Sequence, residues 1–247
     1  MLNFNASFFS LLLALGSVYA QGIDDSTTNR TWKTNWKKVV VAPAVLISVG
    51  LFSTTDNKIF NKYSIYEARN EQFPGFHTKA DDYLQFTPIV AVYSLNAVGM
   101  KGVHDLANRT VLLAKSELLM MAMVFPLKEL TAVPRPDTGA PNSFPSGHTA
   151  QAFVAATFLH KEYGKEHPWY SVLAYGTATT VAVLRVMNNR HWVSDVLVGA
   201  GIGILATNLA YLTHQNKWGK KRNKAGIVWA PSYGQGTFTL NVVAPIN

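Results

Sequence analysis

The chain has 247 residues, of which 48% are apolar, and a formal net charge of +8. This length favours one domain, and the apolar share is ample for a buried core, which argues against disorder in the bulk of the chain. The lack of cysteine excludes disulfides, thiolate metal sites and cysteine nucleophiles. The positive charge favours partners that carry phosphate.

The first twenty residues have the composition of an export signal. Residues 8–15 are apolar, and Val18 and Ala20 stand where a signal peptidase reads small residues, so Gln21 is the expected mature start. No Lys or Arg precedes the apolar run, which leaves an uncleaved amino-terminal anchor as the alternative. In both cases we expect the chain to meet the export machinery.

The rest of the chain predicts an all-α fold, a bundle of about six helices. The third helix begins near Thr110, because Lys115 and Glu117 can lie on its solvated side. The apolar segments are residues 39–52, 83–100, 118–127, 149–159, 171–184 and 196–213.

Polar stretches divide the chain. Residues 56–82 predict a long loop with a short helix. Residues 217–224 are basic, and the alternation at 237–240 predicts a small β-hairpin in the tail. The expected organisation is a signal peptide at 1–20, a helical domain at 21–216 and a basic stretch with the C-terminal tail at 217–247.

The apolar segments leave membrane insertion open. A span needs about 20 apolar residues. Residues 83–100 and 196–213 are the uncharged runs that approach this length, and both contain Asn. The mean hydropathy of +0.08 is low for six spans. The sequence therefore allows an integral membrane bundle or a soluble one.

Three short stretches in the second half supply residues suited to phosphate chemistry. Residues 128–136 read Lys-Glu-Leu-Thr-Ala-Val-Pro-Arg-Pro, residues 145–148 read Pro-Ser-Gly-His, and residues 185–195 begin with Arg and end in His-Trp-Val-Ser-Asp. Besides Arg190, which we interpret as a surface or loop charge, they contain three cations, a small-residue turn and two histidines, one of them followed by a carboxylate four residues later.

The cations and the turn suit a bound phosphate group. Lys128, Arg135 and Arg185 can meet the charge on nonbridging oxygens, and arginine does so through a planar fork. Ser146 and Gly147 precede the fourth predicted helix, where backbone N–H groups and the positive helix end attract anions.

The histidines suit nucleophilic and acid–base catalysis. His191 and Asp195 are four residues apart at the start of a helix, so we expect them on one face. The carboxylate would hold one ring nitrogen and leave the other free to attack phosphorus. His148 would protonate the leaving oxygen and then activate water. This assignment needs no metal and no cofactor.

Helices that alternate in direction would place all three stretches at one end of the bundle. If all six helices span after signal cleavage, this end faces the cytoplasm. The basic residues 217–224, at the opposite end, prefer the cytoplasm and would place the site outside. The two arguments agree if an early helix does not span, or if the whole bundle is exported as a soluble or surface-bound domain.

Each residue also has an ordinary structural explanation. A lone Lys or Arg at a helix end often compensates the dipole, and Pro-Ser-Gly is a common capping turn. His191 with Asp195 is also typical of a surface pair or of an incomplete metal site. The joint spacing of all three stretches is what favours a functional site.

The three stretches resemble the signature of the type 2 phosphatidic acid phosphatase superfamily, which includes lipid phosphatases, acid phosphatases and vanadium haloperoxidases. The family pattern is Lys, six residues, Arg-Pro; then Pro-Ser-Gly-His; then Ser-Arg, five residues, His, three residues, Asp. The resemblance covers residues 110–213. Leu184 departs from it, because it stands where the family has serine.

The resemblance implies a helical bundle with a metal-independent site. It implies catalytic roles for His191 as nucleophile, Asp195 as its orienting acid and His148 as general acid. The implied phosphate-binding residues are Lys128, Arg135, Ser146, Gly147 and Arg185.

The expected function is an exported phosphatase that hydrolyses phosphate monoesters or pyrophosphates, of lipid or isoprenoid substrates, through a phosphohistidine. We expect a phosphorylated lipid or small molecule as partner, membrane association with a periplasmic-facing site, and no nucleic acid. The alternatives are a soluble periplasmic acid phosphatase, a vanadium haloperoxidase and a phosphate-binding protein without turnover.

Overall fold

A computed structural model describes residues 36–55, 57–215, 228–234 and 237–243. This part of the chain forms eight helices and one pair of strands, which confirms the all-α prediction for the bundle. The helices are α1 (Trp36–Phe52), α2 (Lys62–Gln72), α3 (Ala80–Leu84), α4 (Thr87–Ala97), α5 (Leu106–Thr131), α6 (Gly147–Tyr163), α7 (Pro168–Met187) and α8 (Val193–Leu212).

The helices confirm one local prediction and differ from another. The polar stretch 56–82 contains α2, a short helix as expected there, which follows the N-cap Asn61. The predicted helix at 83–100 is interrupted at residues 85–86, between α3 and α4. Pro88 lies in the first turn of α4, where its missing N–H costs nothing and where it favours a new helix start over a continued one.

Helix α8 lies at the centre of the bundle and packs against α1, α5 and α6. Its glycines allow close approach of neighbouring backbones. A Cβ at Gly199 would lie 2.6 Å from the carbonyl oxygen of Ser146, and a Cβ at Gly201 would lie 2.9 Å from that of Pro43. These glycines hold α1 and the start of α6 against the central helix.

Two described helices, α5 and α8, are long and apolar enough to cross a membrane. They differ in their surroundings, since 89% of the apolar window of α8 is buried inside the protein and only 22% of that of α5. Helix α8 therefore has the burial of a core helix. Helix α5 instead exposes apolar side chains along its length, including Leu118, Phe125 and Leu130.

The stretch between α1 and α4 is fastened to the end of α7. Arg69 of α2 donates hydrogen bonds to the carbonyl oxygen of Met187. The backbone N–H and carbonyl of Thr78 both bond the side chain of Asn188, at 2.9 Å each. These contacts place α3 beside the C-terminal end of α7.

The strands β1 (Val228–Gly234) and β2 (Thr237–Val243) pair antiparallel, with Val228 opposite Val243. They lie in the stretch for which the sequence predicts a hairpin. The predicted signal at residues 1–20 and the basic run at 217–224 lie outside the described residues.

Candidate active site

Four helix ends meet at one end of the bundle and bring the three sequence stretches together. Lys128 lies in the last turn of α5, His148 is the second residue of α6, and Arg185 lies in the last turn of α7. His191 precedes α8 by two residues. The N–H of Ser146 donates to the carbonyl oxygen of Asp195 at 3.0 Å, which joins the second stretch to the third.

His191 and Asp195 come together differently from the sequence prediction. Helix α8 begins at Val193, so His191 lies before the helix and the two residues do not share a helical face. Asp195 instead turns back over the helix start, where it accepts a hydrogen bond from the N–H of Trp192 at 3.0 Å. Its Oδ2 then lies 3.5 Å from Nδ1 of His191, at the outer limit of a hydrogen bond.

The Asp195 carboxylate is fully buried and held by further donors. The hydroxyl of Ser143 donates to Oδ2 at 2.5 Å, and that of Ser194 donates to Oδ1 at 3.1 Å. Together with the N–H of Trp192, these donors fix Oδ2 of Asp195 opposite Nδ1 of His191.

Burial lowers the pKa of His191 to about 4. The hydrogen bond to Asp195 and the charge of that residue raise the pKa, but by less. The cations Arg185 and Arg135 lower this pKa further. The ring is thus neutral near pH 7. With its Nδ1–H directed at Asp195, Nε2 retains a lone pair, as a nucleophile requires.

The Ser146–Gly147 turn forms the N-terminus of α6. Ser146 is fully buried and caps the helix, since its hydroxyl accepts a bond from the N–H of Thr149 at 3.4 Å. Apart from its chain neighbours and the backbone of its own helix, no atom of the described structure lies within 4 Å of a Cβ built on Gly147. The first turn of α6 therefore borders open space, where a helix N-terminus favours an anion.

Asn142 joins two of the predicted phosphate-binding cations. Its carbonyl oxygen accepts a hydrogen bond from Nζ of Lys128 at 2.6 Å, and its side-chain oxygen accepts one from Nε of Arg135, also at 2.6 Å. Both interactions leave other N–H groups of the two cations available to a ligand. The loop between α5 and α6 thus orients two cations through a single residue.

The third cation, Arg185, is buried beside α3. Its Nη1 donates to Oδ2 of Asp81 at 2.6 Å, and Asp81 also accepts from the side chain of Asn188 at 3.1 Å. The buried Nε of Arg185 has no hydrogen-bond partner among the described residues. An unsatisfied buried donor is costly, so this N–H is suited to an acceptor such as a phosphate oxygen.

His148 faces a carboxylate that no sequence motif contains. Its Nε2 lies 3.0 Å from Oδ1 of Asp82, in α3. Burial lowers the pKa of His148 and the neighbouring Arg185 lowers it further, whereas Asp82 and Asp81 raise it. The net effect is a lowered pKa, because burial and Arg185 outweigh the two carboxylates of α3.

Trp192, next to His191, is held by an aromatic cluster with α2. The rings of Tyr63 and Tyr66 lie with their centroids 5.3 Å from that of Trp192. Nζ of Lys62 lies 5.1 Å from the indole centroid, within cation–π range. The indole N–H donates to the carbonyl oxygen of Pro134 at 2.9 Å, so Trp192 also joins the loop that carries Arg135.

Sequence reasoning missed four residues that contact the predicted site. Asp81 and Asp82 precede the signature by more than forty residues, and nothing in their local pattern marks them. Asn142 and Ser143 lie between the first and second stretches, and their polar side chains just before Pro-Ser-Gly-His were the one available signal. Arg190, read from the sequence as a surface or loop charge, pairs with Asp137 at 3.0 Å. No group of three or more His, Asp or Glu in the described ranges is arranged to hold a metal.

The segment that contains the predicted site residues matches a known family. Residues 109–219 match the model of the PAP2 superfamily. This match confirms the resemblance seen in the sequence.

Among individual relatives, the chain is similar to the lipid A 1-phosphatase of Porphyromonas gingivalis, with 42% identity over 170 residues. The match covers 68% of this chain and 37% of the relative, so the chain spans less than two fifths of that relative's length.

Two solved structures are similar to this chain over part of its length. The Aquifex aeolicus LpxE structure has a TM-score of 0.45 and 22% identity, covering 59% of this chain and 93% of that one. The transmembrane PAP2 type phosphatidylglycerolphosphate phosphatase from Bacillus subtilis has a TM-score of 0.40 and 19% identity, covering 83% and 92%.

Proposed function

We propose that this chain is a metal-independent phosphatase that hydrolyses a phosphorylated lipid through a phosphohistidine at His191. The observation that carries the proposal is the buried, neutral His191, whose Nδ1 faces Asp195 and whose ring lies near the cations Arg185 and Arg135. The unpartnered Nε of Arg185 and the open space at Gly147 support it, because they offer a donor and a place for a phosphate group.

In the first step, Nε2 of His191 attacks phosphorus and the bond to the leaving oxygen breaks. His148 donates a proton to that oxygen, so the product leaves as an alcohol rather than as an alkoxide. Asp195 stabilises the cationic ring that forms on His191. Lys128, Arg135, Arg185 and the turn of Ser146 and Gly147 bind the nonbridging oxygens, which is where phosphoryl transfer needs stabilisation.

In the second step, His148 removes a proton from water, and the resulting nucleophile attacks the phosphorus on His191. The P–N bond breaks, inorganic phosphate leaves and His191 returns to its neutral form. His148 thereby regains the proton that it gave up, so the two steps close the cycle without a cofactor.

A lipid substrate is favoured by the surface of α5 and by the relative. Leu106, Leu118, Phe125 and Leu130 are each more than half exposed on this helix, and so many large apolar side chains in water are costly. The 42% identical relative is a lipid A 1-phosphatase. We infer that α5 faces lipid and that the glycosidic phosphate of a lipid A-type molecule is the first substrate to test.

The deciding assay is phosphate release from a panel: lipid A, phosphatidylglycerol phosphate, phosphatidic acid and undecaprenyl pyrophosphate. Two matched histidine substitutions distinguish the loss of the nucleophile from a general loss of structure. His191→Asn should lower turnover by several orders of magnitude. His167→Asn should leave turnover unchanged. His167 caps the N-terminus of α7, whereas Arg185 of the site lies in the last turn of that helix, and Asn is an equally good cap. Full activity in His191→Asn would contradict the mechanism.

Fractionation separates the lipid-embedded enzyme from a soluble acid phosphatase. We expect the protein to stay in the membrane after alkaline carbonate and to leave it only with detergent. Release by carbonate alone would favour the soluble alternative. Halide oxidation that depends on vanadate and peroxide would instead favour a haloperoxidase.

We further propose that the chain is exported and that the site faces away from the cytoplasm, on the basis of the predicted signal at residues 1–20. Because the chain has no cysteine, single cysteines can report the orientation. Thr138 is exposed in the α5–α6 loop at the site, and Glu166 is exposed in the α6–α7 connection, at the other end of α6. A membrane-impermeant maleimide should label Thr138→Cys but not Glu166→Cys in intact cells. The reverse pattern would place the site in the cytoplasm.

A further inference from the structure

We propose that Asp82 is a positioning residue for His148, so that the site contains a second histidine–carboxylate pair on the leaving-group side. The inference rests on the proposed function, since it assigns a role within the same reaction. It also adds a residue from outside the family-matched segment, residues 109–219, to the catalytic apparatus.

The pair is defined by a direct contact. Oδ1 of Asp82 lies 3.0 Å from Nε2 of His148 and 3.8 Å from Nη1 of Arg185. The side chains of His148 and Asp82 are 35% and 48% exposed, so the pair lies at the open side of the site rather than in the core. An incoming substrate can therefore reach the free ring nitrogen of His148, Nδ1.

The carboxylate is held in place by its neighbours in the chain. Asp81 bonds Arg185 and Asn188, and Asn188 also bonds both backbone groups of Thr78. The short helix α3 is thus fixed to the end of α7 at several points. Because α3 is fixed, Asp82 presents its carboxylate to His148 at little cost in conformational entropy.

The charge around His148 explains why the reaction needs this carboxylate. A general acid must be protonated before it can donate. Burial and Arg185 of α7 lower the pKa of His148, and the groups that raise it are Asp82 and Asp81 of α3. Asp82 is the one of these two that touches the ring. It favours the imidazolium and directs the proton on Nδ1 toward the leaving oxygen.

During the reaction, Asp82 keeps its bond to Nε2–H of His148. The proton on Nδ1 moves to the leaving oxygen as the P–O bond breaks, which leaves His148 neutral. Nδ1 then takes a proton from the attacking water, so Asp82 itself never changes protonation. Its contribution is therefore largest for a poor leaving group, such as a lipid or sugar alkoxide, and smallest for a good one.

The test compares Asp82→Asn with Asp105→Asn, a carboxylate that caps α5 and whose cap Asn can preserve. Both variants are assayed from pH 4 to 9 on the lipid phosphate and on 4-nitrophenyl phosphate, whose leaving group needs no proton. We expect Asp82→Asn to lose on the order of tenfold to a hundredfold in kcat/KM on the lipid, part of what a general acid supplies. On the aryl ester it should lose less than about threefold.

The basic limb of the lipid profile should also move to lower pH in Asp82→Asn and not in Asp105→Asn. Equal losses on both esters, or an unmoved limb, would overturn the proposal, because a purely structural role predicts that pattern.

A direct titration separates this proposal from the proposed function. If the wild-type protein releases phosphate from no ester, the proposed function fails, and the NMR titration of His148 still decides on the pairing. The pKa of His148 should then fall in Asp82→Asn relative to the wild type. An unchanged pKa would overturn the pairing whatever the activity.

Discussion

Ser143 donates a hydrogen bond to Asp195 at 2.5 Å, and the same hydroxyl lies 3.5 Å from Nδ1 of His191. This serine therefore fixes the carboxylate that faces the proposed nucleophile, and Asp195 can rotate away from His191 when the hydroxyl is removed. We expect Ser143→Ala to lower kcat/KM by roughly tenfold, as the loss of one hydrogen bond to a charged group implies. The loss in kcat/KM is measured by steady-state kinetics on the preferred phosphate ester.

Ser171 offers the matched control, because it is also a buried serine and lies 2.7 Å from a histidine, His160, away from the predicted site residues. Ser171→Ala should lower the thermal unfolding midpoint without lowering kcat/KM. Equal kinetic effects of the two substitutions would contradict the role given to Ser143.

Substitution by alanine should have opposite effects at Gly147 and at Gly199. Gly147→Ala meets no atom of the described structure within 4 Å, apart from its chain neighbours and the backbone of its own helix, so it should fold normally and lose phosphate binding, because the methyl group enters the proposed ligand space. Gly199→Ala places a methyl 2.6 Å from the carbonyl of Ser146 and should destabilise the fold by about 1–3 kcal/mol. Thermal unfolding and phosphate inhibition separate the two. A Gly147→Ala variant with unchanged phosphate inhibition would place the ligand elsewhere.

Removal of the Asn142 side chain should weaken phosphate binding through its effect on Arg135. Asn142→Ala removes the side-chain acceptor of Arg135 but keeps the backbone acceptor of Lys128. We expect inhibition by inorganic phosphate to weaken by about threefold to tenfold, since a hydrogen bond to a charged group is worth about 1.5–3 kcal/mol and part of it is recovered by water. Asn142→Ala should add little in an Arg135→Ala background, where the guanidinium that Asn142 orients is absent. Additive losses would mean that Asn142 does not act through Arg135.

The depressed pKa of His191 predicts how stability depends on pH. The ring titrates near 4 in the fold and near 6.5 when unfolded, so between these values the unfolded chain binds more protons. The free energy of unfolding therefore rises with pH across this window, and this contribution is lost as pH falls from 6.5 toward 4. Thermal melts at pH 7.5 and 5.0 should show a smaller difference in His191→Asn than in the wild type. His167→Asn should keep the full difference.

The parts of the site that the sequence revealed are those in which chemistry and spacing occur together. Lys128, Arg185, His148 and His191 stand at or next to helix ends, with Arg135 in the loop after α5. Alternating helices bring such ends together without knowledge of the packing. The hairpin strands also lie where alternation indicated them. The all-α class follows from apolar runs too long and too regular to be read as strands.

The remaining contacts depend on tertiary packing. Asp82 and His148 are 66 residues apart, and the polar composition of 56–82 gave no reason to place a carboxylate at the pocket. The predicted shared helical face of His191 and Asp195 was wrong, because α8 begins at Val193 and Asp195 bonds the N-cap backbone. The spacing in the sequence identified the correct pair of residues. Their relative position depends on where α8 begins, which the spacing does not show.

Residues 57–86 are attached to the site by hydrogen bonds, and this attachment bears on how substrate preference can differ between relatives. Arg69, Thr78 and Asp81 attach this stretch to Met187, Asn188 and Arg185 at the end of α7. These three attachments all lie at one helix end, so we expect relatives to exchange the stretch as a unit without changing the phosphate-binding residues. Grafting the corresponding stretch from a relative should transfer that relative's choice of leaving group and working pH while His191 and its phosphate-binding neighbours remain untouched.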